Sequence, residues 1–230
     1  MLFRSSRLAA QIAISDYVAE HTGTATDVVP SGVPRVDQTI PASDREQAVL
    51  VAQRLEREKE TAVALDAWAR TNAARSGARL WLAGDGSLAA ELRAQADRLG
   101  IADSVDFLGR RSDISELMGR AALFLAPTPI EGLGLAVIEA MAAALPVIAA
   151  AAGGHLETAG RVSPELLFRS GDAAAAARQV DALLADPDQR DRIGAALQER
   201  QRQHFTVDRQ MDLIAEIYRR VLARPPGCTR

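Results

Sequence analysis

Residues 126–139 read Ala-Pro-Thr-Pro-Ile-Glu-Gly-Leu-Gly-Leu-Ala-Val-Ile-Glu and place Glu131, Gly132 and Gly134 where an apolar run gives way to a helical pattern. The first amides of a helix have no partner within it, and the helix dipole adds partial positive charge there, so such a turn suits an anion. Glu131 stands beside those amides, and Glu139 follows eight residues later, within the next two helical turns. Taken alone, the segment reads equally well as a tight turn with carboxylates at a helix start. Upstream, Gln53-Arg54-Leu55-Glu56-Arg57-Glu58-Lys59 brings two cations, Arg54 and Lys59, to the end of another apolar run. Lys59 is the only lysine among 27 basic side chains, which favours a role for it; the mixed charges around it also fit a solvated face.

Positioning these groups requires strand–helix alternation. Short apolar runs at 48–52, 79–83, 105–108, 122–126 and 146–149 read as buried strands, with a short sixth at 166–168. Helical patterns at 61–74, 88–99, 113–118 and 135–144 separate them, the second closed by Gly100. Alternation of this kind predicts a doubly wound, Rossmann-like parallel α/β sheet, in which ligands bind beyond the carboxyl ends of the strands. Residues 172–185, 187–203 and 207–222 form a helical tail, the first helix capped by Asp172. The chain end, 224–230, reads as disordered.

Composition excludes several classes. The chain has 230 residues, 48% hydrophobic and 25% charged, with 30 acidic side chains against the 27 basic ones. A chain of this length buries on the order of 70% of its unfolded surface, so it needs no staples. The charge balance argues against a nucleic-acid partner. One cysteine, Cys228, rules out a disulfide within the chain, and no His or Cys spacing fits zinc. No uninterrupted apolar run of about 20 residues and no clear targeting signal is present, so the expectation is a cytoplasmic protein, with membrane contact at most peripheral. Trp68 and Trp81 fall on apolar faces and read as core, His155 as a polar loop residue, and His21 and His204 as exposed.

The whole stretch from Pro127 to Glu157 resembles the donor-binding motif of family 4-type retaining glycosyltransferases, which have the two-Rossmann-domain GT-B architecture. That family shows Pro-Ser, a glutamate, Gly-Phe-Gly, a second glutamate, Ala-Met-Ala, Gly-x-Pro-Val and Gly-Gly. Here Pro127, Glu131, Gly132, Gly134, Glu139, Ala140, Met141, Pro146, Val147, Gly153 and Gly154 match in order. Thr128 replaces the serine, Leu133 the phenylalanine and Ala144 the glycine before the proline, where an added methyl bears on close packing. Arg54 and Lys59 resemble the family's Arg-Leu-x-x-x-Lys segment, but Glu60 follows where glycine or asparagine is common and would sit awkwardly near a diphosphate. Weaker echoes at 82–86, 105–109, 28–33 and 205–206 extend the resemblance over residues 12–222.

The resemblance implies roles. Arg54 and Lys59 would neutralise a diphosphate leaving group, whose charge grows as the sugar–phosphate bond breaks. Gly132 and the amides of Leu133, Gly134 and Leu135 would join Glu131 around the donor sugar and phosphates. Glu139 would accept from the ribose hydroxyls, and the backbone near Arg110 and Arg111 would face the base. Glu131, Arg54 and Lys59 are thus the implied catalytic set, the nucleotide sugar is a substrate, and neither cofactor nor metal is expected. Residues 1–35 would be a remnant of the acceptor domain with the interdomain segment, 36–204 the donor domain, and 205–230 a crossover helix and tail.

A complete enzyme of this architecture has two such domains, and 230 residues hold one. The reading is therefore the donor half of a glycosyltransferase for polysaccharide or glycolipid assembly, either active with a separate acceptor-domain chain or a truncated copy of a full enzyme. The alternative is a non-catalytic nucleotide-sugar-binding or interaction module. The pieces at 11–15, 16–21 and 26–29 would lack a sheet to join, leaving open edges or apolar surface. Ile214, Ile217, Tyr218 and Val221 would form a buried face on the last helix, set against its own domain or used for self-association together with residues 1–35.

Overall fold

A computed structural model describes residues 9–23 and 27–223. Residue 26, Cys228 and the expected disorder at 224–230 lie outside the described residues. The chain opens with β1 (Ile12–Ala13), α1 (Asp16–Thr22) and β2 (Asp27–Val28), and continues with β3 (Glu46–Ala52), α2 (Thr61–Trp68), β4 (Arg79–Ala83) and α3 (Ala89–Arg98). Next come β5 (Val105–Gly109), α4 (Ile114–Arg120), β6 (Ala121–Ala126), α5 (Leu135–Ala142), β7 (Val147–Ala150), the single turn α6 (Gly154–Glu157) and β8 (Leu167–Phe168). Three helices close the described chain: α7 (Ala173–Ala185), α8 (Pro187–His204) and α9 (Val207–Leu222).

The main sheet runs β5-β4-β3-β6-β7-β8 with every neighbour parallel. The chain winds outward from β3 in one direction and then from β6 in the other, so the strand order reverses between those two, where a doubly wound sheet opens its binding crevice. Both faces are covered. Ala48 and Leu50 of β3 point into one core with Phe124, Ile138 and Met141, whereas Val49 and Val51 point into the other with Leu65, Trp68 and Leu92. Burial on both sides explains why β6 and β7 are apolar at every position. Trp68 and Trp81 are core residues, as expected.

Two helices end earlier than their patterns predict. The helix expected over 61–74 stops at Trp68. The Thr71 hydroxyl donates to the Trp68 carbonyl at 2.7 Å, and the Asp181 carboxylate on α7 accepts from the amides of Asn72 and Ala73 at 2.9 and 3.1 Å. That long-range cap ends the helix and starts a separate turn at Ala73–Arg75. Helix α5 stops at Ala142 because Ala144 takes a left-handed conformation, φ 51°. The Ala144 amide donates to Met141 and the Leu145 amide to Ala140, at 3.0 and 2.9 Å, which is the Schellman closure. Glycine adopts this conformation without the clash between Cβ and carbonyl that alanine meets. Ala144→Gly is therefore expected to stabilise the domain by about 1 kcal/mol, net of the extra freedom glycine brings to the unfolded chain. Urea unfolding checks this, and lower stability in the variant would show that the Ala144 methyl packs well enough to offset its strain.

The amino-terminal segment departs from expectation. Strands β1 and β2 pair with each other in a small parallel sheet, Ile12 opposite Asp27 and Ala13 opposite Val28. Ser15 caps α1 by accepting from the Val18 amide at 3.0 Å, and its hydroxyl donates to the Gly132 carbonyl at 2.6 Å. The amides of Asp16 and Tyr17 donate to the Glu157 carboxylate at 3.0 and 2.8 Å. Residues 12–22 are thus docked on the loops around Gly132 and Gly153, while Ile12 and Ile14 keep the expected exposed apolar surface. The face expected on α9 is only partly buried. Ile217 is enclosed, Ile214 and Val221 are half-buried, and Tyr218 is 64% exposed. Gln210 accepts from the Gly32 amide and Arg220 pairs with Asp27, so α9 contacts the segment before the main sheet.

Candidate functional site

The carboxyl ends of β3 and β6 share one cleft made of two cavities that meet at Ala52, Gln53 and Arg54. Beyond β3 the chain makes a short 3-10 turn at Arg57–Lys59, then Glu60 adopts φ 47° as the first residue before α2. Beyond β6 the chain passes through Thr128 and Glu131 to Gly134, the residue before α5. Gln53 joins the two loops. Its side-chain amide donates to the Lys59 carbonyl and the Thr61 hydroxyl, each at 2.9 Å, and its oxygen accepts from the buried Thr128 hydroxyl at 2.9 Å. The threonine that replaces the family's serine therefore has a defined partner.

The smaller cavity, about 270 Å³, is lined by Lys59, Arg54, Glu131, Leu133, Gly134, Leu135 and His155, among others. Lys59 Nζ lies 3.1 Å from Glu131 Oε2, with 22% and 23% of the two side chains exposed. Among the described residues no side chain caps α5, so its first amides are open to a ligand. The larger cavity, about 800 Å³, is lined by Arg54, Gly84, Asp85, Arg110, Arg111, Ile114 and Glu139. Among the described residues none donates a hydrogen bond to the Glu139 carboxylate, and partial burial pushes its carboxyl above the usual carboxylate range. Both of its oxygens are free to accept, as a cis-diol requires.

The structure thus separates the expected residues into two groups. Lys59, Glu131 and the 133–135 backbone surround the small cavity, Arg111 and Glu139 the large one, and Arg54 lines both. Arg54 is exposed and paired with Glu58 at 2.8 Å, so its head must swing from that partner to reach a phosphate. Arg111 is held by Asp113, the Nε–Oδ1 bond measuring 2.7 Å. Gly132 lines neither cavity, since its carbonyl accepts from Ser15 and its Cα faces Ile14 and Val18. Glu60 also lines neither; its left-handed φ explains why glycine or asparagine suits that position. His155, read as a polar loop residue, is instead 1% exposed and lines the small cavity. Sequence reasoning passes over Gln53 as a functional candidate and takes His155, beside the Gly153-Gly154 turn, for a loop residue. Their roles depend on contacts with Thr128 and Gly134 that no local pattern announces.

A Rossmann-like sheet with cationic side chains, open helix amides and a free carboxylate at its switch point defines an α/β domain whose crevice presents groups of the kind that suit an anionic, hydroxyl-bearing ligand. Residues 34–200 match the family described as Glycosyl transferases group 1, and the chain belongs to that family. It is 35% identical to EpsD of Bacillus subtilis (strain 168) over 142 residues, 61% of this chain and 36% of that one. It is 33% identical over 133 residues to the lipopolysaccharide core biosynthesis mannosyltransferase LpsB of Rhizobium meliloti (strain 1021), 56% of this chain and 37% of that one. Among solved structures, Anabaena Alr3699/HepE in complex with UDP and glucose superposes with a TM-score of 0.79 at 25% identity, covering 92% of this chain and 63% of that one. The chain spans little more than a third of these two curated relatives. The described residues hold no helix long and apolar enough to cross a membrane.

Proposed function

We propose that this chain is the donor-binding half of a family 4-type retaining glycosyltransferase, taking a nucleoside-diphosphate hexose for polysaccharide or glycolipid assembly. The observation that carries the reading is the convergence of Lys59, Glu131 and the uncapped start of α5 on one cavity. Lys59 and the amides of the first turn hold the diphosphate, and Arg54 joins them on release from Glu58. As the anomeric carbon–oxygen bond breaks, its electron pair passes to the diphosphate, and these fixed donors stabilise the charge that develops. Glu131 orients the sugar, Glu139 accepts from the ribose hydroxyls, and the wider cavity beside Arg110 and Arg111 receives the base. The acceptor domain is supplied by residues outside this sequence, in the same or another polypeptide, and any membrane contact is peripheral.

Calorimetric titration with UDP, GDP, UDP-glucose and GDP-mannose tests the reading. At least one nucleoside diphosphate is expected to bind. Because the cations stand where a metal would otherwise neutralise charge, the affinity is expected to be unchanged in EDTA. Failure of all four to bind overturns the donor-site reading, and a loss of binding in EDTA overturns metal independence alone. Binding without transfer, once an acceptor domain is supplied, assigns the chain a binding role only.

A further inference from the structure

The small cavity has a polar side chain to which the resemblance gives no role. His155 follows the Gly153-Gly154 turn on α6, and its ring edge lies over Gly134: a Cβ built there would meet His155 Cδ2 at 3.1 Å and Nε2 at 3.4 Å. Nδ1 is 3.0 Å from the Ala150 carbonyl oxygen. A carbonyl only accepts, so Nδ1 carries the proton and Nε2 of the neutral ring is left as an acceptor. Burial holds the imidazole below its ordinary value; the Ala150 hydrogen bond and Glu131 oppose this, and Lys59 adds to it. Nε2 has no hydrogen-bond partner among the described residues, and the residue lines the cavity. An acceptor that opens on the cavity without a protein partner is placed to take a proton from a ligand hydroxyl.

We propose that His155 is a sugar-specificity residue, its Nε2 accepting a hydrogen bond from a hydroxyl of a neutral hexosyl group. The inference rests on the nucleotide-sugar reading and deepens it. Two acceptors, Nε2 and the Glu131 carboxylate, converge on one small volume, and sugar hydroxyls supply the protons both need. A uronosyl carboxylate has no proton to give and would meet their lone pairs, while Lys59 is shared between Glu131 and the diphosphate. The site therefore selects hexosyl over uronosyl donors.

The test compares the parent chain with His155→Leu and His155→Gln, using UDP with UDP-glucose and GDP with GDP-mannose. For the pair that binds, His155→Leu is expected to weaken the sugar nucleotide about tenfold and leave the free diphosphate unchanged. His155→Gln, whose side-chain oxygen accepts, should recover most of the loss. In the unaltered chain, the Nε2 nitrogen resonance should move on adding the sugar nucleotide but not the free diphosphate, a readout that needs no variant to fold. UDP-glucuronate should bind at least tenfold more weakly than UDP-glucose if the UDP pair is the one bound. Equal weakening of diphosphate and sugar nucleotide, or an Nε2 resonance that responds identically to both, overturns the proposal while the diphosphate site stands. A parent chain that binds neither diphosphate overturns the donor-site reading and this inference with it.

Discussion

Lys59→Ala is expected to weaken nucleoside-diphosphate binding by about 10- to 100-fold, the worth of one hydrogen bond to a charged group. Two effects add in the same direction. The ammonium that meets the phosphate is lost, and Glu131, which Lys59 now holds at 3.1 Å, is left as an unpaired carboxylate facing an incoming anion. Glu131→Gln should behave differently. It removes the repulsion, so the free diphosphate binds at least as well as to the parent chain. Lys59→Arg should restore only part of the loss, because a broad planar guanidinium cannot take the place of a compact ammonium in a small cavity. Calorimetry with the diphosphate found to bind the parent chain measures all three. A Lys59→Ala variant with parental affinity would show that Lys59 serves Glu131 alone.

Gly153→Ala is expected to destabilise the domain by about 3 kcal/mol, close to 10 °C in melting temperature, and to abolish donor binding. Gly153 has φ 45°, and a Cβ there would lie 2.1 Å from the Glu131 carbonyl oxygen and 3.1 Å from the Tyr17 ring. The same carbonyl accepts from the Gly154 amide at 2.8 Å, so the turn cannot back away without losing the contact that sets the Glu131 loop. Gly132→Ala is the control. Its added carbon would meet Ile14 and Val18 at 3.5 Å, an ordinary contact, and a change of less than about 1 kcal/mol is expected. Two motif glycines thus have opposite tolerances. Urea unfolding with calorimetry on both variants checks this, and a stable, binding-competent Gly153→Ala would mean the loop shifts without cost.

Much of the architecture was legible because parallel strands buried on both faces leave plain marks. Residues 79–83 match a main-sheet strand at both ends, and the other central strands match within a residue or two. Asp172 caps α7 by accepting from the Ala175 amide at 2.8 Å, a short-range interaction that spacing alone predicts. Two of the misreadings share a long-range cause. The break after Trp68 is set by Asp181, more than a hundred residues away, and the docking of α1 by Glu157 and Gly132 at similar distances. Tyr218 has the right period to be buried, yet period reports only that residues share a helix face and not that anything covers it.

The sequence by itself determined the sheet, the cleft at its carboxyl edge and the types of group that stand there, because periodicity, capping and motif spacing are local properties of the chain. Tertiary structure decided which of those groups meet. It paired Lys59 with Glu131, turned Gly132 away toward α1, left Arg54 on Glu58 and brought His155 over Gly134. Those outcomes depend on how two loops from different strands close against each other, and the distances involved, near 3 Å, are fixed by packing across the fold.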